Sequence, residues 1–399
     1  MIIDINRLSD TGEGIGKVDN KVIFIPKTCP GDTVLVKDAT NYKKYMIAND
    51  FEIIHNGIIR CDVNCPYYDV CGGCQLMHIN YEEQLKYKKN KVINMFKKYA
   101  NIDINPEIVG SSQFNYRNKI TLEVKDGKLG LYKYHSHDVI DIDNCLLVND
   151  KINSIIGVIN DKVDLSLVKS VTIRISDKNN AMVLFDGEIK NIDNLKEYVD
   201  SIYVNNNLVY GSDNIVTNIG NYSFNVSNKS FFQINNEQVL RLYNKIYEYL
   251  PVSGNIMDLY CGTGSIGIYV SDKCKSILGV EINNSAIMDA NRNKDINNIK
   301  NISFECGDVE DIINSHDYFD SIIVDPPRAG LSNKTKNILL DIGSNTIIYV
   351  SCDPMTLVRD VNDLSSKYYL EDITLFDMFP NTYHVENVVL LKRKVSKDE

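Results

Sequence analysis

From Asn255 onward the chain alternates short apolar runs with segments of helical periodicity. Asn255–Tyr260, Ser276–Ile282, Ile302–Cys306, Ser321–Val324 and Thr346–Val350 read as buried strands, because unbroken Val/Ile/Leu runs bounded by turn residues suit a sheet covered on both faces. The alternation predicts a mostly parallel sheet flanked by helices, an α/β core. Before it, Asn235 is placed to cap a helix, with Gln238 three residues on and Val239, Leu242, Ile246 and Leu250 as its apolar stripe. Ile373–Met378 and Val385–Leu391 lie close enough to pair antiparallel.

Upstream the periods differ. Residues 1–57 alternate apolar and polar positions around glycine turns such as Thr11–Gly16, which predicts a small β-barrel. In Tyr81–Tyr99, Leu85, Lys88, Val92 and Phe96 recur near helical spacing, giving a lysine-rich amphipathic helix whose charges are expected on a solvated face. Residues 114–225 alternate strand-like runs with Asn, Asp and Gly turns and suggest an antiparallel sheet. Three units follow, 1–57, 58–225 and 226–399, the middle one a central α+β domain around that sheet.

Composition narrows the class. No apolar run is long enough for a bilayer, and Met1–Arg7 lacks the order of a signal peptide, so a cytoplasmic protein with no membrane partner is expected. Ten cysteines in 399 residues do not make a disulfide scaffold; where clustered, they point to ligands or nucleophiles. A net charge of −10 argues against a wholly electrostatic nucleic-acid binder, although local patches can still hold phosphates. Oligomeric state is not legible.

Five motifs carry chemistry. Asp258-Leu-Tyr-Cys-Gly-Thr-Gly264 joins a strand to a helix, with Glu281 about twenty residues on, placed to meet a ribose diol, and Asp308 after the third strand. That set suits an adenosine cofactor without a pyrophosphate, S-adenosylmethionine. Asp325-Pro-Pro-Arg328 ends the fourth strand in a rigid rim; an arginine rather than an aromatic residue after the prolines argues against methylation of an amino group. Ser351-Cys352-Asp353-Pro354 puts a thiol at a strand tip, where a thiolate can add to pyrimidine C6 and make C5 nucleophilic. Phe379–Glu386 offers a base for the C5 proton, Glu386 first and His384 second. Cys65, Cys71 and Cys74, with glycines between the last two and Cys145 downstream, suit a metal or cluster; the wide first spacing favours [4Fe–4S] over zinc.

Taken together, these motifs resemble the RNA uracil-5-methyltransferases over nearly the whole length, most closely the iron–sulfur branch that methylates 23S ribosomal RNA. The resemblance implies a Rossmann-like class I methyltransferase core and an RNA-binding TRAM domain, OB-like in form, over residues 1–57. It assigns Gln233, Tyr260, Glu281 and Asp325 to S-adenosylmethionine and places Asp308 beside the adenine. It makes Cys352 the nucleophile, Glu386 the base, and Cys65, Cys71, Cys74 and Cys145 the cluster ligands, zinc being the alternative metal. It puts Tyr116-Arg117-Asn118-Lys119 near RNA and packs the 81–99 helix partly on the catalytic domain. Rival readings are a transfer-RNA uracil-5-methyltransferase, an RNA cytosine-5-methyltransferase, and a non-catalytic RNA-binding protein. The cytosine enzymes usually carry a second cysteine where this chain has Asp325-Pro-Pro-Arg.

Overall fold

The computed structural model describes residues 1–230, 232–313 and 318–395; Phe231, at the head of the segment containing Gln233, lies outside them. The C-terminal half is built on an eight-stranded sheet in the spatial order 302–306, 276–281, 255–259, 321–324, 346–351, 386–393, 368–376, 107–109. The first five strands run parallel, and Glu386–Arg393 is antiparallel to both its neighbours. Neighbouring residues of the inner strands serve opposite cores. Met257, Ile322 and Ile347 join one apolar cluster, and Ile256, Ile323 and Ile348 join the other. That double burial is why these strands read as continuous apolar runs. The strand order reverses between 255–259 and 321–324, so their C-terminal ends flank a crevice of the kind in which such sheets bind ligands.

The last strand of that sheet, Glu107–Val109, comes from the first half of the chain and pairs in parallel with Thr374–Phe376. The helix Tyr81–Ala100 packs on the same core through Val92, Met95 and Phe96. Val92 and Phe96 are fully buried, worth about 1.5–3 kcal/mol each. Asn80 caps its start by accepting from Glu83 N, and Asn101 ends it in a left-handed turn at φ 53°. The solvated lysine face expected from its sequence is only partly present. Lys88 is 0% exposed and ion-paired with Asp377, and Lys91 is 9% exposed. Their charges are taken up inside the protein and add nothing to a positive outer surface.

The N-terminal strands form a six-stranded sheet curled on itself. A Cβ on Gly16 would come within 2.2 Å of Ile3, which shows how tightly the first strand lies over the third. The middle segment forms a seven-stranded sheet backed by the helix Asp150–Lys162, with a separate hairpin over 214–227. This sheet departs from the all-antiparallel expectation at one pair. Met182–Phe185 runs parallel to Ser201–Val204, because the intervening chain crosses over through the short turn Ile192–Leu195.

Candidate active site

The glycine turn forms at the strand-order reversal. Tyr260 takes φ 62°, costly for a side chain with a Cβ, and Gly262 and Gly264 follow at 52° and 74°. The two glycines differ in what surrounds them. A Cβ on Gly264 would lie 2.5 Å from Phe304 Cζ, whereas one on Gly262 would meet nothing within 4 Å. Gly264 therefore allows close packing, and Gly262 borders open space. Glu281 Oε2 accepts from Gly262 N (3.2 Å) and Oε1 from Asn283 N (2.9 Å), fixing the carboxylate at the edge of that space. Asp258 Oδ2 accepts from Gly267 N (3.1 Å), while its buried Oδ1 has no partner. Burial, with Asp325 and Glu281 adding repulsion, pushes the Asp258 carboxyl up to about 8. Asp308 caps the next helix by accepting from Glu310 N (2.8 Å). The Tyr260 phenol is raised by burial, with smaller contributions from Glu310 and Asp308. Gln233 lies further along, its main-chain carbonyl accepting from Asn118 Nδ2 (3.0 Å). Open space over Gly262 and acids at successive strand ends suit a cationic sulfonium nucleoside.

Cys352 follows directly on the fifth parallel strand, half-buried, between Ser351 and the helix Pro354–Leu364. Asp353 caps that helix, its Oδ1 accepting from Met355 N (2.9 Å) and Thr356 N (3.0 Å). On the antiparallel neighbour, Asn387 opposes Ser351 and its Nδ2 donates to the Ser351 carbonyl (2.9 Å). Continuing that register by one residue sets Cys352 across from Glu386. Asp325 ends the strand on the other side, its N–H donating to the Leu259 carbonyl (3.3 Å). Glu386 acts on Cys352, and Asp325 acts on both. Burial first, and Glu386 next, push the Cys352 thiol up to about 11, with Arg328 opposing. Burial and then Asp325 hold the Glu386 carboxyl well above its ordinary range, again opposed by Arg328. Asp325 keeps some accessible surface, yet burial of its carboxyl raises it to about 7. Burial, Arg328 and the two nearby lysines push His384 down to about 4, so near neutral pH it carries no charge.

Cys65, Cys71, Cys74 and Cys145 line one cavity of about 390 Å³ together with Arg117 and Lys119. Burial, followed by the charges of the other three thiols, raises Cys74. Asn153 accepts from Cys145 N (2.9 Å) and donates to its carbonyl (3.1 Å), and Cys71 N donates to Tyr67 O (2.7 Å). Arg117 Nε is buried without a partner, an unmet donor that suits a thiolate-bound, anionic occupant. Among the described residues, no three His, Cys, Asp or Glu side chains converge closely enough to hold a metal ion. The thiols surround a space rather than meeting at a point. Arg117 faces this cavity, Tyr116 donates to the Pro380 carbonyl (3.1 Å), and Asn118 also bonds Asn236 Oδ1 (2.8 Å). The Tyr116–Lys119 segment, expected near RNA, is thus largely an internal brace.

The sequence reading found the loop that leads into Glu386 but missed what holds it. Gln84, Lys88 and Lys91, on one face of the 81–100 helix, all bond to it. The spacing of the three residues carried a signal, but their polarity argued for solvent.

Comparison with known proteins agrees with this geometry. Residues 196–394 match the family described as tRNA (Uracil-5-)-methyltransferase, and residues 1–59 match the TRAM domain of tRNA (uracil(54)-C(5))-methyltransferase. An RNA methyltransferase of Staphylococcus aureus (strain MSSA476) is 33% identical over 97% of this chain and 96% of its own. One from Clostridium acetobutylicum (strain ATCC 824) is 33% identical over 98% and 96%. The crystal structure of Pyrococcus abyssi tRNA (uracil-54, C5)-methyltransferase with S-adenosyl-L-homocysteine superposes with a TM-score of 0.83 at 29% identity, covering 98% of this chain and 100% of that one.

Proposed function

This chain belongs to the S-adenosylmethionine-dependent RNA uracil-5-methyltransferases, and on that premise we propose that it forms 5-methyluridine in 23S ribosomal RNA, with Cys352 as nucleophile and Glu386 as base. The observation that supports this pairing is the strand register: Ser351 opposes Asn387, Cys352 and Glu386 are the next residues along it, and Asp325 directly follows the adjoining strand. The Cys352 thiolate adds to uracil C6, and the C5–C6 electron pair moves toward C5 and O4. Gln233, Tyr260, Glu281, Asp308 and Asp325 would hold S-adenosylmethionine, which would supply the methyl group that C5 takes and leave as S-adenosylhomocysteine. Glu386 then accepts the C5 proton, the C6–S bond breaks, and the thiolate is restored. In the free protein burial, with Glu386 acting on Cys352 and Asp325 acting on both, disfavours the ionised forms, so the site becomes reactive as nearby positive charge favours them. Arg328 already acts in that direction. Reaching C6 requires the uridine to leave its stack, which costs a few kcal/mol and least in a loop.

The four thiols would hold a [4Fe–4S] cluster, zinc being the alternative. Their shared cavity and the unpaired Arg117 Nε are what support an anionic group there. No step above passes through it, and its part is structural. All ten cysteines are free, and among the described residues no helix is long and apolar enough to cross a membrane. The thiols support a cytoplasmic setting.

Transfer RNA is the second reading, favoured by the family match and by the substrate of the Pyrococcus enzyme. Mapping 5-methyluridine separately in the ribosomal and transfer RNA of a deletion strain decides between them. Loss confined to transfer RNA overturns the ribosomal assignment. For the chemistry, Cys352→Ala abolishes tritium release from 5-tritiated uridine RNA, and Glu386→Gln leaves a covalent protein–RNA adduct on a denaturing gel. Full turnover by either variant removes that residue from its role.

A further inference from the structure

The segment from Asp377 to Glu386 is an irregular connection, yet five of its carbonyls are bound from elsewhere in the protein. Met378 O accepts from Asn235 Nδ2 (3.2 Å), Phe379 O from Lys88 Nζ (3.1 Å), Pro380 O from Tyr116 OH (3.1 Å) and Tyr383 O from Lys91 Nζ (3.1 Å). The fifth, Asn381 O, accepts from both Gln75 N and Leu76 N at 3.0 Å. Asn381 is 0% exposed and left-handed at φ 66°. Its N–H donates to Gln84 Oε1 (3.0 Å), its Oδ1 accepts from Gln84 Nε2 (3.2 Å), and its Nδ2 donates to Gln113 O (2.9 Å). The 81–100 helix, the loop just after Cys74 and the 111–113 segment therefore meet on this one residue.

From Asn381 the path to Glu386 is short and fixed. Thr382 folds back on Phe379 O, and His384 N donates to Thr382 Oγ1 (3.3 Å). Val385 is 1% exposed, and its carbonyl accepts from Asn387 Nδ2 (3.2 Å). A shift at Asn381 has no slack in which to dissipate before it reaches the carboxyl.

We propose that Asn381 is a positioning residue, the latch through which the 81–100 helix and the cysteine loop hold Glu386 at working distance from the target base. The proposal rests on Glu386 being the base. Asn381 touches no reacting group; it acts on the step that Glu386 performs, removal of the C5 proton. Addition of Cys352 and methyl transfer precede that step and do not depend on it.

The test uses full-length holoenzyme carrying Asn381→Gly, which keeps the left-handed backbone available but removes every side-chain bond. Displacement of a catalytic group by about 1 Å costs on the order of 100-fold. The expected result is a kcat lower by about 10- to 100-fold, with KM for RNA and the dissociation constant for S-adenosylhomocysteine within about twofold of wild type. The covalent protein–RNA adduct accumulates, and turnover of 5-deuterated uridine RNA becomes slower than that of the protiated RNA. Gln84→Leu, which strips the latch from the helix side, gives the same signature. A wild-type kcat in Asn381→Gly overturns the proposal. So does a parallel loss of RNA binding, cofactor binding and kcat without adduct, the mark of general loosening. Glu386→Gln measured alongside separates the two assignments. If it turns over normally, the base assignment has failed; if it stalls as adduct while Asn381→Gly does not, only the latch has.

Discussion

Lys88→Met is a demanding test of how the helix and the Glu386 loop are joined. Lys88 and Asp377 are both 0% exposed, and the ammonium bonds Asp377 Oδ1 and the Phe379 carbonyl. Asp377 Oδ2 makes no hydrogen bond and the Tyr81 phenol beside the carboxylate is neutral, so removing the lysine leaves a buried carboxylate without a counter-charge. Breaking one side of a buried pair costs about 3–5 kcal/mol, a large share of the roughly 5–15 kcal/mol that stabilises a folded domain. A lysine on a solvated face, which the sequence led us to expect, would cost under about 0.5 kcal/mol. The two outcomes differ by nearly an order of magnitude. Lys88→Met/Asp377→Leu removes both charges and recovers most of the loss, leaving a coupling energy of at least about 3 kcal/mol. Urea unfolding of wild type, both single variants and the double variant, with midpoints compared at constant slope, measures all of these. A Lys88→Met protein within about 1 kcal/mol of wild type, or single losses that simply add in the double variant, refutes the reasoning.

Three further outcomes are expected. Gly264→Ala places a methyl 2.5 Å from Phe304 Cζ at φ 74°, which lowers both stability and S-adenosylhomocysteine affinity by calorimetry; unchanged affinity would mean the turn does not shape the cofactor site. Burial holds Lys91 down at about 8 against an ordinary 10.5, so between those values the unfolded chain binds more protons and stability rises with pH. Relative to Lys91→Met, wild type gains up to about 3 kcal/mol across that window in a denaturation series, and a flat difference refutes the assignment. Cys74→Ser lowers bound iron by metal analysis and speeds amide exchange at Gln75 and Leu76 and, through Asn381, along 379–385. Zinc in the wild-type protein overturns the choice of metal, and unchanged exchange along 379–385 removes the cysteine loop from the latch.

Legibility followed the range of the interactions. The four inner parallel strands could be read because they are buried on both faces, and Asn235 could be read as a cap because its partner, Gln238 N, is three residues away. Cys352 and Glu386 were legible as motif members, but their juxtaposition needed the antiparallel register. What stayed hidden was polar and distant. Gln84 and Asn381 are 297 residues apart, and Lys88 and Asp377 are 289. A buried ion pair has the same local sequence as two solvated charges. The strand Glu107–Val109 is three residues long, too short for any alternation to register.

That three-residue strand sets a schedule for synthesis. Its partner, Thr374–Phe376, is made about 270 residues later, so at 5–20 residues per second the early strand waits roughly 13–54 s for the edge it completes. Throughout that interval the nascent chain holds an unclaimed β-segment, and the growing sheet ends in open hydrogen-bond positions. The first half is thereby kept as a captive tether of the second. A fragment begun at residue 226 would fold, if at all, with a bare rim beside the very strand that runs into the Glu386 loop.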